Sequence, residues 1–339
     1  MDEAPERPTP DLAAAAKRLA SGGVVAFPTE TVYGLGADAL NPEAVDRVFR
    51  LKARPSRNPL IVHVTGPAMA ATVTSEWPTA AERLARAFWP GPLTLVLPKH
   101  ERVPGNVAGG GPTVAVRAPD HPIALALLFE AATPLVGPSA NLSGAVSPTC
   151  ADHVRAAFSA EDVLVLDGGP CRVGIESTVI DLTSPTPRIL RPGIIGHARL
   201  AAVLGTPVEQ HHHRDHDDSS AAPPSPGLLK HHYAPKTPAL LIDVEELEDH
   251  LEDALDDGVR VVVISHHLAV QVDDPHELIR MPGFALPYAS ALYDALRRAD
   301  DLAAVRILIE RPPTQAETDE DTAIWHAVHE RLRRATAPR

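Results

Sequence analysis

Between Thr206 and Lys236 the sequence loses any apolar period, and a packed core cannot continue across that break. The segment runs from His211-His212-His213-Arg214-Asp215-His216-Asp217-Asp218 into Ser225-Pro226-Gly227 and then Lys230-His231-His232-Tyr233. Such a composition reads as an extended linker stiffened by proline. It divides the chain into a first domain over residues 10–205, a linker over 206–236 and a second domain over 237–339. The 339 residues suffice for two domains of about 100–200 residues each. The histidine run has the side chains to bind a transition metal but no fixed scaffold to order them, so a solvated linker is expected and no metal site is assigned.

In the first domain, strand-like and helix-like stretches alternate. Asp11 is suited to N-cap a helix over 11–22, with Leu12, Ala15, Ala16 and Leu19 on one face and Gly22-Gly23 at its end. Val24-Val25-Ala26-Phe27 reads as a strand that breaks at Pro28 into a turn carrying Thr29, Glu30, Thr31 and Tyr33. Gly34 and Gly36 are expected to supply positive φ or a close approach there, ahead of a helix start. Helices are predicted from Pro42 onward, over 79–88 and over 122–131. Strands are predicted over 60–64, 93–97, 113–117, 135–136, 163–166, 178–182 and 188–190. Several strands follow one another with no helix between, which predicts an α/β domain on a twisted mixed sheet. After the break, strands over 239–242, 259–264 and 305–309 alternate with helices over 244–255, 288–300 and 322–335. That order predicts a small Rossmann-like parallel sheet with right-handed crossovers.

Composition narrows the functional classes. A formal net charge of −13 opposes non-specific grip on nucleic acid. Acids crowd the C-terminal third, so an anionic ligand is expected on the first domain. No apolar run reaches the roughly 18 residues that suggest a membrane span. The acidic start Met1-Asp2-Glu3 lacks the pattern of a signal peptide. Cys150 and Cys171 are too few for a disulfide framework or zinc knuckle. A cytoplasmic protein with no membrane contact is expected.

Four polar clusters fall at strand ends or in proline-fixed loops. Lys52-Ala53-Arg54 with Asn58 lies in a segment that Pro55 and Pro59 hold extended, where a curved chain can meet a multivalent anion; a solvated basic turn is the alternative. Arg117 ends a strand and suits a bidentate grip on carboxylate or phosphate, unless it pairs with Asp120. Pro138-Ser139-Ala140-Asn141-Leu142-Ser143-Gly144 reads as a ligand-cradling loop or as an Asx or Ser turn. The last cluster is Gly174-Ile175-Glu176-Ser177-Thr178, followed by Arg191-Pro192-Gly193. No nucleophile with a base partner, Walker A pattern or dinucleotide glycine motif is present. Cations and hydroxyls without a nucleophile point to catalysis by positioning and charge neutralisation, as in nucleotidyl transfer.

In order along the chain, Pro28-Thr29-Glu30-Thr31-Val32-Tyr33-Gly34-Leu35-Gly36, Lys52-Ala53-Arg54-Pro55, Asn58-Pro59-Leu60, Trp89-Pro90-Gly91-Pro92-Leu93-Thr94, Val116-Arg117, the loop 138–144, Glu176-Ser177-Thr178-Val179 and Arg191-Pro192-Gly193 resemble the YrdC-type family. Ser225-Pro226-Gly227 with His232-Tyr233-Ala234-Pro235, followed by a second α/β unit, is similar to its long two-domain form. The resemblance implies a YrdC-like sheet domain and a nucleotidyltransferase that joins L-threonine, bicarbonate and ATP, with Mg2+ accompanying the ATP. It implies that threonylcarbamoyl-AMP is handed to a threonylcarbamoyl transferase partner for tRNA modification.

Carried over by position, Lys52 and Arg54 are catalytic, and Thr31, His63, Arg117, Gly137 and Ser177 hold threonine. Arg54, Asn58, Thr113, Ser139, Asn141, Ser147, Arg191, Lys230 and Tyr233 serve ATP, and the segment from Lys230 to Tyr233 would fold back as a flap. Leu229-Lys230 stands where many relatives have Lys-Tyr, which leaves the flap contact open. An RNA-binding module without catalytic activity is the alternative. The net charge opposes it, and any contact with RNA is expected to be weak.

Overall fold

A computed structural model describes residues 11–210 and 233–338. The histidine run and Lys230 lie outside the described residues. In the first domain the strands are β1 (Val24–Phe27), β2 (Gly34–Asp38), β3 (Ile61–His63), β4 (Leu93–Pro98), β5 (Thr113–Arg117), β6 (Leu135–Val136), β7 (Val163–Val165), β8 (Thr178–Asp181), β9 (Arg188–Arg191) and β10 (Glu209–Gln210). They form one sheet in the order β10-β9-β8-β4-β5-β3-β6-β2-β1-β7, with parallel and antiparallel pairs intermixed. The mixed sheet expected from the element order is present.

Alternation along the strands sorts side chains onto two faces. Val24 and Ala26 enter the main core, whereas Val25 and Phe27 pack with Ala15, Leu19, Leu127 and Leu128 from two helices on the other face. The helix Pro42–Leu51 shows how sequence sets position. Asn41 caps it by accepting from the N–H groups of Glu43 and Ala44 at 3.0 and 3.2 Å, Pro42 occupies the first turn, and Ala44, Val45, Val48 and Phe49 are buried. Each of the larger apolar side chains contributes about 1.5–3 kcal/mol by leaving water. That burial delivers the end of the helix, and with it Lys52 and Arg54, to the edge of the cleft described below.

Two expectations are corrected. Gly34 and Gly36 have no positive φ and do not precede a helix; they form β2, the return strand of a hairpin with β1. Their role is space, because a Cβ at either position would stand 2.9 Å from the Phe27 ring. The segment assigned wholly to a linker begins instead with β10, which pairs in parallel with β9.

The second sheet holds β11 (Ala239–Ile242), β12 (Val261–Ser265), β13 (Glu277–Arg280) and β14 (Arg306–Glu310), all parallel, in the order β11-β14-β12-β13. The helix Leu247–Asp256 covers one face, and helices Ala285–Asp301 and Asp319–Ala335 cover the other. This second pair extends its apolar cluster to Val32, Val146, Val173 and Ile175 of the first domain, so one core spans both units. Among the described residues, no helix is long and apolar enough to cross a membrane.

Candidate active site

The sheet brings together residues far apart in the chain. Parallel pairing of β3 with β5 sets His63 directly beside Arg117. Both point away from the main core, as Val62, Val114 and Val116 point into it. The β1–β2 turn closes over them. Thr29 fixes that turn by donating from Oγ1 to the Val32 carbonyl at 2.6 Å and accepting from the N–H groups of Thr31 and Val32, both at 3.2 Å. Thr31 Oγ1 then accepts from Arg117 Nη1 at 2.9 Å, while Arg117 Nη2 lies 2.6 Å from Glu30 Oε2. Arg117 therefore pairs with Glu30. Asp120, the partner weighed from sequence, is taken by Arg172 at 2.7 Å.

His63 is buried, and burial followed by the nearby Arg117 charge lowers its pKa to about 3. The ring is neutral throughout the physiological range and acts as a hydrogen-bonding group. Its Nδ1 has no partner among the described residues, and a Cβ at Gly137 would come within 2.5 Å of it. Only glycine leaves that edge of the ring open.

The opposite wall is cationic. Arg54 faces the cleft and donates to the Pro59 carbonyl at 3.2 Å; burial lowers its pKa to about 10, still charged at neutral pH. Arg191 donates from Nη2 to the Ser177 carbonyl at 3.0 Å and to Ser177 Oγ at 3.2 Å, and the Ser177 hydroxyl also meets Thr94 Oγ1 at 2.8 Å. Tyr233, where the chain re-enters after the undescribed segment, is buried and lines the cleft with Ser139.

Other predicted residues stand behind this lining. Lys52 directs its ammonium group to the carbonyls of Ser139 and Asn141, and burial followed by the Arg54 charge pushes its pKa down. Asn141 donates to Leu142 and Ala145 carbonyls, at 2.8 and 2.7 Å, shaping the same loop. Asn58 is buried with neither side-chain polar atom partnered among the described residues. Ser147 donates to Glu176 Oε1 at 2.7 Å. Thr113 opens β5 at the end away from Arg117, roughly 13 Å off by strand rise, and does not line the cleft.

Glu30 and Glu176 line or complete the site but were not singled out as site residues from sequence. Their signal was their place in the polar turn after β1 and in the Glu176-Ser177-Thr178 run; what sequence lacked was the identity of their partners. Burial raises the Glu176 carboxyl, but Arg331, Arg191 and Ser147 together hold it below the usual range. Among the described residues no group of three or more His, Cys, Asp or Glu is placed to hold a metal. The arrangement can grip a carboxylate at Arg117 and a polyanion along Arg54 and Arg191.

Residues 17–193 match the Sua5–YciO–YrdC family model, described as Telomere recombination. Residues 195–337 match the model described as Threonylcarbamoyl-AMP synthase, C-terminal domain. The Threonylcarbamoyl-AMP synthase of Pyrococcus abyssi is 40% identical over 96% of this chain and 94% of its own length. That of Bacillus subtilis is 39% identical over 97% and 94%. Among solved structures, Sua5 of P. abyssi complexed with L-threonine matches at a TM-score of 0.88 and 38% identity, covering 96% of this chain and 94% of that one.

Proposed function

The chain belongs to the Sua5–YciO–YrdC family and carries the C-terminal domain of threonylcarbamoyl-AMP synthases; on that premise we propose that its cleft joins L-threonine, bicarbonate and ATP into threonylcarbamoyl-AMP, releasing pyrophosphate. The observation that carries this reading is the mixed lining of one cleft. Arg117, His63 and Thr31 suit an amino acid, and Arg54 with Arg191, lining the same cleft, suit a triphosphate.

In the proposed reaction the threonine carboxylate binds Arg117, beside Thr31, His63 and Ser177. Its amine attacks the bicarbonate carbon with loss of water, giving a carbamate. A carbamate oxygen attacks the α-phosphorus of ATP, and the bond to pyrophosphate breaks. Arg54 and Arg191 offset the charge that grows on the leaving group. Lys52 contributes by holding the Ser139–Asn141 loop, and Asn58, with its open amide, offers a further contact to the nucleotide. Ser139, Asn141, Ser147 and Tyr233 complete the proposed ATP side, and Gly137 the threonine side; Thr113, which does not line the cleft, takes no part in it, and Lys230 lies outside the described residues. Magnesium would neutralise phosphate charge; with no carboxylate cluster to hold it among the described residues, it would arrive with the triphosphate.

The carbamate and the mixed anhydride both react with water, so a cleft lined by buried side chains suits them. The anhydride must be consumed by a transferase, and we infer a partner that places the group on tRNA. An RNA-docking groove has no use for an Arg117 buried against Glu30 and Thr31. Pyrophosphate release should require both threonine and bicarbonate and yield a product of the mass of threonylcarbamoyl-AMP. ATP cleavage indifferent to threonine would contradict the reading.

A further inference from the structure

The cleft is not completed by the first domain alone. Resting on the synthase reading, we propose that Arg331, in the last helix of the second domain, is a positioning residue that fixes Glu176 and Tyr233.

Arg331 is fully buried and uses its whole fork. Nε lies 3.2 Å from Glu176 Oε2, Nη2 donates to the Glu176 carbonyl at 3.1 Å, and Nη1 donates to the Pro192 carbonyl. Glu176 immediately precedes Ser177, and Pro192 immediately follows Arg191. One guanidinium therefore ties together the two strand ends that present Ser177 and Arg191 to the cleft. The same group lies over the Tyr233 ring, 5.8 Å from its centre. Tyr293, also of the second domain, stacks on Tyr233 at 5.6 Å and donates to Glu176 Oε2 at 2.9 Å.

Tyr233 needs such support. Its φ of 62° lies in the left-handed region, which a bulky side chain keeps only where its surroundings overdetermine it. The main chain beside it is pinned by Ala234 N–H donating to the Gly144 carbonyl at 3.0 Å, and the ring is held by Arg331 and Tyr293. A buried ion pair is a poor source of stability compared with apolar packing. A planar fork that meets the Glu176 carboxylate and the Glu176 and Pro192 carbonyls, besides Glu330 and the Ala327 carbonyl on its own helix, is, in contrast, well made for fixing geometry.

The test uses the full chain and threonine-dependent pyrophosphate release. Arg331→Lys keeps the charge but cannot span the three acceptors. It is expected to lower kcat/KM for ATP on the order of 10–100-fold, with folded fraction and Tm close to wild type. Arg199→Ala removes an exposed interdomain ion pair with Glu320, 2.9 Å long, and is expected to leave activity unchanged, which separates this network from the interface in general. Arg331→Lys with wild-type kcat/KM, or with a loss only in proportion to unfolded protein, overturns the proposal. If that variant does not fold, Tyr293→Phe reads the same network by deleting one hydroxyl. A several-fold fall in kcat/KM at unchanged folded fraction then supports the proposal, and no fall overturns it. A wild-type chain silent in the assay would overturn the synthase reading instead.

Discussion

Two buried glutamates, Glu30 in the first domain and Glu310 in the second, are set in opposite ways. Glu310 Oε2 accepts from Ser265 Oγ at 2.5 Å and from the N–H groups of His266 and His267 at 3.0 and 3.1 Å, with His266 Nδ1 3.3 Å away. Burial would raise its carboxyl, but the hydrogen bonds from His266 and Ser265 bring it down to about 2. Glu30 has one oxygen against Arg117 and the other, Oε1, without a partner among the described residues. The first domain holds further buried atoms in the same condition: His63 Nδ1 in the cleft, both polar atoms of Asn58 and Asn141 Oδ1 behind its lining, and Asn106 Oδ1 elsewhere. In the second domain the comparable atoms, Arg260 Nε and His276 Nε2, sit at the opposite ends of the strands from Glu310. Each unmet buried group costs about 1–3 kcal/mol. Several gathered around one cleft mark a surface shaped for a ligand, whereas a satisfied carboxylate marks a structural joint.

Substitutions on the two sides should separate these roles. Arg117→Ala removes the carboxylate grip and leaves Glu30 buried without its cation. Threonine-dependent turnover should fall by an amount equivalent to about 2–5 kcal/mol, read as kcat/KM for threonine. Gly137→Ala places a methyl group against His63 and should cost about 1–3 kcal/mol, most of it visible as weaker threonine affinity. Glu310→Gln should lower unfolding stability at pH 7 by about 1–3 kcal/mol without changing turnover. The sign of its pH dependence follows from the depressed pKa. The folded carboxyl titrates at about 2 against 4.5 unfolded, so its contribution is present above pH 4.5 and is lost as pH falls toward 2. Wild type and Glu310→Gln should therefore converge in acid, and a gap that widens there would break the contrast.

Much of this was legible in the chain. The strand ends carrying His63 and Arg117 could be read from alternation and proline, and the cation at Arg54 from its proline-fixed segment. Their juxtaposition could not, because it depends on β3 pairing with β5 across two intervening helices and a strand. At Gly34 and Gly36 the close approach read from sequence is present and the positive φ is not, because the local signal for a turn is the same as that for a strand pressed against an aromatic ring. Arg331 was invisible for a different reason. With Arg333 and Arg334 it looks like the solvated basic last turn of an amphipathic helix, and only packing against the first domain buries it. The Arg117–Glu30 pair was missed because both Asp120 and Glu30 were available in sequence, and distance in space decided between them.

Titration of L-threonine alone into the full chain, followed by calorimetry, tests most directly that the unmet polar groups of the first domain form its amino-acid pocket. Saturable binding is expected for wild type and for Glu310→Gln, and its loss for Arg117→Ala. Undiminished binding by Arg117→Ala would contradict the assignment.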